Sequence, residues 1–212
     1  MKLTKYGHAC FTVEIDGQVL VVDPGNLSTD FQASDNTVAI IVTHAHPDHF
    51  DPDVLASIYN RNPESLLLST AEVTEKMVDH RSQKVSLNSE VQVGPFRLKF
   101  LGGTHATIHE SVPAIDNVGV IINETLYYPG DSFVNPDQPI KALALPLGAP
   151  WLKTANAIDF MVAVKPEVVF PTHDAVLSDA GKKINDSWIE RFAEPLGIRY
   201  QRLGGEQSEL LL

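Results

Sequence analysis

The sequence predicts an α+β chain in which two sheets pack face to face and helices cover the outside. Two observations carry this reading. Each half of the chain runs through short strand segments before its helices, and no low-complexity linker divides the halves, so residues 1–212 read as one domain. Hydrophobic residues make up 43% and charged residues 20%, which is ordinary for a globular protein and unlike a disordered or membrane chain.

Residues 10–15 alternate as a strand, Asp16-Gly17 is a hairpin turn signal, and residues 18–23 return as a second strand closed by Asp23-Pro24-Gly25. Residues 38–42 are apolar and rich in β-branched types, as a strand buried on both faces requires. A helix begins at Asp51-Pro52, with Asp51 as N-cap and Pro52 in the first turn; it buries Val54, Leu55 and Ile58 and stops before Asn62-Pro63. Residues 66–68 read as a strand, 71–80 as a short helix, and 84–101 as a β-meander turning at Gly94-Pro95. In the second half, residues 118–122 and 125–128 form a hairpin around Asn123-Glu124, and 143–145 a short strand. Residues 155–164 make an amphipathic helix, 168–170 a strand, 186–196 a helix with Trp188 in the core, and 199–212 a closing strand pair.

Acidic residues outnumber basic ones 27 to 16, a net charge of −11, so a nucleic-acid partner is disfavoured. The single cysteine, Cys10, excludes a disulfide framework and a Cys-rich zinc ribbon, and reads as a buried structural thiol. The N-terminal residues carry no apolar signal segment, and no apolar run approaches a membrane span. The expectation is a cytoplasmic protein acting on a small molecule, with no membrane partner. The run Leu210-Leu211-Leu212 either completes the core sheet or contacts a second subunit, so a homo-oligomer stays open.

The chemistry lies in the histidines. His44, His46 and His49 fall within His44-Ala45-His46-Pro47-Asp48-His49, directly after the buried strand. As the strand runs out, His44 and His46 project to one side, Pro47 turns the chain, and Asp48 and His49 swing back. Neutral imidazoles with a carboxylate suit divalent zinc, manganese or iron. The same setting, a strand followed by a glycine or proline breaker, recurs at Gly102-Gly103-Thr104-His105, Pro129-Gly130-Asp131-Ser132 and Pro171-Thr172-His173-Asp174. His109 competes with His105 for one role; otherwise it points into a substrate pocket or is a surface histidine. Trp151, after Pro146-Leu147-Gly148-Ala149-Pro150, sits on a loop near the mouth and either packs on the core or lines the pocket. Ser132 has no Gly-x-Ser-x-Gly elbow, so a serine-hydrolase reading is poor.

This ordered set of motifs resembles the metallo-β-lactamase-fold hydrolase superfamily, over residues 3–174. His8, in Gly7-His8-Ala9-Cys10-Phe11, resembles a GH-x-x-F element of its small stand-alone members, those similar to ascorbate-6-phosphate lactonase. The resemblance implies a four-layer αββα sandwich, in agreement with the strand-then-helix order. It also implies two divalent metal ions, most simply zinc, with manganese or iron as alternatives. His44, His46 and His105 would hold the first ion, Asp48, His49 and His173 the second, and Asp131 would bridge them. Asp23 would orient a ligand histidine. His8 would either reach the metal site or serve as a hydrogen-bonded core residue.

The implied activity is metal-dependent hydrolysis of a small ester, lactone, amide or phosphodiester by a water shared between the ions, with Asp48 as general base. The competing readings are a nucleic-acid processing phosphodiesterase, which the acidic charge disfavours, and a non-catalytic metal-binding protein of the same fold. A flavodiiron-type scaffold would need glutamate where His46 stands.

Overall fold

A computed structural model describes residues 1–28, 30–204 and 208–212. Its strands form two seven-stranded sheets. Sheet one comprises β1 (Lys2–Tyr6), β2 (Cys10–Ile15), β3 (Gln18–Val22), β4 (Thr37–Val42), β5 (Leu66–Ser69), β6 (Ser82–Lys84) and, from the end of the chain, β14 (Glu209–Leu211), in the order β14-β1-β2-β3-β4-β5-β6. Sheet two comprises β7 (Glu90–Val93), β8 (Phe96–Gly102), β9 (Val118–Ile122), β10 (Leu126–Tyr128), β11 (Ala142–Pro146), β12 (Val168–Thr172) and β13 (Arg199–Tyr200), in the order β13-β12-β11-β10-β9-β8-β7.

Both sheets begin antiparallel and turn parallel, the first from β3 onward and the second from β10 onward. Parallel neighbours need crossovers: β3–β4 and β10–β11 are joined by loops, and the other two in each sheet run through helices. In sheet one these are α1 (Pro52–Arg61) and α2 (Ala71–Lys76); in sheet two, α3 (Thr154–Val164) and α4 (Asp179–Ala193). Strand alternation then sorts each apolar run between two cores. In β4, Ala39 and Ile41 join the core between the sheets, with Phe11, Phe96, Phe100 and Phe170, while Ile40 and Val42 join Leu55, Ile58 and Val73 under α1 and α2. In sheet two, Tyr128 and Phe170 face inward; Tyr127 and Val169 face Phe160, Met161 and Ile189 of α3 and α4. The result is four layers, αββα. Among the described residues, no helix is long and apolar enough to cross a membrane.

Where a local signal fixes an element, sequence and structure agree. The Asp51 carboxylate accepts from Asp53 N at 2.9 Å and Val54 N at 3.4 Å, capping α1. The Asp16-Gly17 turn has positive φ at both residues, as a tight hairpin requires. Elsewhere the structure corrects the reading. Val54 is half-buried, and Tyr59 joins Leu55 and Ile58 in the core instead. Helix α2 ends at Lys76, where Met77 N–H turns back to Thr74 O, four residues short of the expected end. The expected meander over 84–101 is only the β7–β8 hairpin, because β6 pairs with β5 in the other sheet. Helix α4 starts at Asp179, capped by Ser178, and its weak helix former Gly181 conceals that start. Trp188 is 44% exposed, since α4 turns Ile189 and Ala193 to the core and Trp188 lies outward under Arg191. The closing pair is no pair: β13 joins sheet two, and β14 crosses to β1 with Leu210 buried opposite Leu3.

Candidate metal centre

The loops that follow β1, β3, β4, β8, β10 and β12 converge at one edge of the sandwich. Close backbone contacts pack them. A Cβ on Gly25 would lie 2.0 Å from the Asp48 carbonyl, so only glycine lets the loop after β3 pass behind Asp48. Asp23 and His173 hold positive φ (45° and 57°), a backbone arrangement costing of order 1–3 kcal/mol each that surrounding structure must enforce. The sheets are tied here as well: Val118 N–H donates to Thr43 O at 3.0 Å, and the Tyr128 hydroxyl donates to Asp23 Oδ2 at 2.8 Å.

Two donor sets result. His44, His46, His105 and Asp131 form one; His8, Asp48, His49 and His173 form the other; within each, the facing atoms lie within 4.8 Å of one another. In the first set His44 Nε2 is 3.1 Å from His46 Nδ1, and Asp131 Oδ2 is 3.3 Å from His105 Nε2 and 3.9 Å from His44 Nε2. In the second, Asp48 Oδ2 is 3.3 Å from His173 Nε2 and 3.8 Å from His49 Nε2. Asp131 also reaches this set, at 3.0 Å from His173 Nε2 and 3.3 Å from His49 Nε2. Four donors placed tetrahedrally at about 2.0–2.1 Å from a zinc ion stand about 3.4 Å apart. The observed spacing fits that shell.

Hydrogen bonds aim the rings. Asp23 Oδ2 accepts from His49 Nδ1–H at 2.7 Å, Gly148 O from His173 Nδ1–H at 2.6 Å, and Ala106 O from His105 Nδ1–H at 2.5 Å. In each case Nε2 is left to face the centre. The Nε2 atoms of His49, His105 and His173, with Asp131 Oδ1, are buried and have no hydrogen-bond partner among the described residues. Buried polar atoms without partners are rare and costly, and these four belong to residues of the two donor sets. Donor sets of this kind could hold a cation.

The electrostatics differ between the sets. Burial pushes the His44 ring pKa well below its ordinary value, with His49 adding to the effect, and burial lowers His46 too. Burial also disfavours charge on His49 and His173. There the carboxylates prevail: Asp131 and Asp23 raise His49, and Asp131 and Asp48 lift His173 to about 10. Against the opposing effect of burial, His49 and His105 hold the Asp131 carboxyl well below the usual range, and His173 and His8 do so for Asp48. Cys10 is no donor, since burial pushes its thiol pKa up.

Of the residues singled out from the sequence, His109 stays outside both sets: it is exposed and hydrogen-bonded to Ser111 Oγ at 2.7 Å. The Trp151 indole N–H donates to Asp131 Oδ2 at 3.0 Å. His8 Nε2 lies 3.1 Å from Asp48 Oδ2.

Residues 2–173 match the family model for the β-lactamase superfamily domain. The chain belongs to the β-lactamase superfamily. It is 31% identical to protein Rv0786c of Mycobacterium tuberculosis, over 98% of this chain and 99% of that one. It is 24% identical to a UPF0173 metal-dependent hydrolase of Staphylococcus saprophyticus, over 82% and 85% of the two chains. Among solved structures, Igni18, a metallo hydrolase from Ignicoccus hospitalis, superposes with a TM-score of 0.75 at 21% identity, covering 100% of this chain and 98% of that one. The metallo-β-lactamase fold protein YhfI of Bacillus subtilis gives 0.72 at 13% identity, covering 99% and 98%.

Around the donors of this superfamily member stand helpers that motif reading missed. Thr43 gives Asp23 both its N–H and its hydroxyl, each at 2.7 Å. Asn117 Oδ1 accepts from Asp131 N–H at 2.9 Å, and the Asn117 amide donates to Pro129 O at 3.0 Å. Thr43 borders the His-rich run and could have been found by position; Asn117 and Tyr128 carry no local signal.

Proposed function

We propose that this protein is a metal-dependent hydrolase holding two divalent cations, with zinc the first choice and manganese or iron the alternatives, and acting on a small ester, lactone, amide or phosphodiester. The observation that carries the reading is the group of unpartnered buried atoms, His49 Nε2, His105 Nε2, His173 Nε2 and Asp131 Oδ1, spaced as donors around cations. The names of relatives as metal-dependent hydrolases support it. In this reading His44, His46 and His105 would hold one cation, Asp48, His49 and His173 would hold the other, and Asp131, which lies near both sets, would serve both.

Bound there, the cations supply a water acidified towards neutrality and a Lewis acid for the electrophilic oxygen of the substrate. The chain supplies the rest. Asp48 is the proton acceptor, because its side chain is 25% exposed while that of Asp131 is 2% exposed and tied to Trp151. Asp23 keeps the His49 ring in place, and the Trp151 N–H fixes Asp131. The Trp151 ring, 5.8 Å from His105 and 6.1 Å from His173 between centroids, forms an apolar wall for a small substrate. The net charge of −11 argues against nucleic acid as that substrate.

The test is elemental analysis of protein purified without chelators, followed by assay on nitrophenyl esters, lactones and bis(nitrophenyl) phosphate. The expected result is two bound divalent ions and hydrolysis of at least one class, lost on chelation and restored by metal. Two ions with no hydrolysis in any class would make the protein a metal binder rather than an enzyme.

A further inference from the structure

The buried imidazoles around the centre divide by the direction of their hydrogen bonds. His49, His105 and His173 each donate Nδ1–H to an oxygen. His44 does the same: the Thr43 hydroxyl spends its proton on Asp23, so Thr43 Oγ1 accepts from His44 Nδ1–H at 3.0 Å. All four therefore turn Nε2 to the centre. His8 is the exception. The Ala175 backbone N–H donates to His8 Nδ1 at 3.1 Å. A neutral imidazole carries one proton, so on His8 it sits at Nε2, facing Asp48 Oδ2 at 3.1 Å.

We infer that His8, although it lies within the second donor set, is not a metal ligand but a positioning residue that donates Nε2–H to Asp48 Oδ2 and fixes that carboxylate. The inference rests on the metal-centre reading of the site. The loop bearing His173 enforces it twice, since His173 N–H also donates to the His8 carbonyl at 3.0 Å, and His8 is fully buried. Asp174, between the two donors of that loop, is anchored by Lys5 Nζ at 3.4 Å and by Arg202. The loop thus sets the tautomer of His8, and His8 sets the carboxylate. All the close contacts of Asp48 to the site histidines run to Oδ2. An oxygen with two lone pairs can take one hydrogen bond and one cation, which leaves Oδ1 for the proton of the attacking water.

Long-range ¹H–¹⁵N correlation on protein labelled at histidine nitrogen reads the tautomers directly, metal-free and zinc-loaded. The expected result is a protonated Nε2 on His8 in both states and a protonated Nδ1 on His49 and His173 in the zinc-loaded protein. A protonated Nδ1 on His8 with Nε2 bound to zinc overturns the inference. Two variants give a second readout. His8→Gln keeps an N–H donor within reach of Asp48 but has no imidazole lone pair, whereas His8→Leu keeps neither. Under buffered free zinc, His8→Gln should bind zinc within about threefold of the parent, and His8→Leu about 10–100-fold more weakly, as for loss of a group that orients a ligand. Equal behaviour of the two variants, whether both lose zinc or neither does, overturns it. Neither readout needs turnover, so a failed hydrolysis screen would count against the proposed function and leave the His8 assignment standing.

Discussion

Asp23 is the side chain on which most of the site's geometry turns. Its carboxylate accepts from Thr43 N–H and O–H, His49 Nδ1–H and the Tyr128 hydroxyl, all inside 2.9 Å. Asp23→Asn replaces one acceptor oxygen by a donor and should weaken zinc binding by about 10–100-fold, measured by competition with a chelating dye. Asp48→Ala should cost about 10²–10⁴-fold in turnover on whichever substrate class is hydrolysed, the usual scale for a general base. His109→Ala serves as the control: exposed and outside both sets, it should leave zinc content unchanged and stability within about 0.5 kcal/mol in denaturant titrations. The pKa directions give a further test. Without metal, His173 (lifted to about 10) and His49 (also raised) favour protonation at neutral pH, while His44 and His46 are lowered and neutral. A cation entering the second set must displace protons, so its uptake should strengthen as pH rises towards 10 and weaken as pH falls. Calorimetry in buffers of different ionisation enthalpy should find proton release with one metal equivalent and not with the other.

The elements that carry these side chains are loops held by close packing, and they fail in characteristic ways. Gly25→Ala would drive a Cβ to 2.0 Å from the Asp48 backbone, and the loop after β3 or the His-rich run must then move. A loss of about 2 kcal/mol or more in unfolding free energy is expected, together with weaker zinc binding. The loop after β12 depends on a buried ion network. Burial alone would raise the Asp174 pKa, but Lys5 and then Arg202 lower it below the usual carboxylate value. The unfolded chain therefore takes up a proton at higher pH than the folded one. The stability from Asp174 is complete above the unfolded value of about 3.9 and is lost as pH falls through the lower folded value. Thermal melts from pH 6 downward should show the parent losing this increment, and Asp174→Asn, which lacks it throughout, falling less steeply.

Across the molecule, what could be read from the sequence was what neighbours in the chain determine. Asp51-Pro52 caps α1 because the cap is local, and Asp16-Gly17 turns because both residues tolerate positive φ. The His-rich run and the three strand-breaker pairs were visible because each donor stands beside the strand that carries it. Distant partnerships were not visible. Asp48 meets His8 across 40 residues, and Trp151 meets Asp131 across 20. Pairing of β6 with β5 and of β14 with β1 is decided by which sheet has an open edge, a property of no single segment. The edge strand β14 closes the sheet that bears His8, and Leu210, 4% exposed, fills the core opposite Leu3. Leu210→Ala should cost about 2–5 kcal/mol in denaturant unfolding. The most direct test of the central claim, that residues from four loops form one two-cation centre, is X-ray absorption at the zinc edge on the saturated protein. The predicted result is two zinc ions per chain with only nitrogen and oxygen donors at about 2.0–2.2 Å and a zinc–zinc distance of about 3.5–4 Å. A single zinc, or a sulfur shell near 2.3 Å, would contradict it.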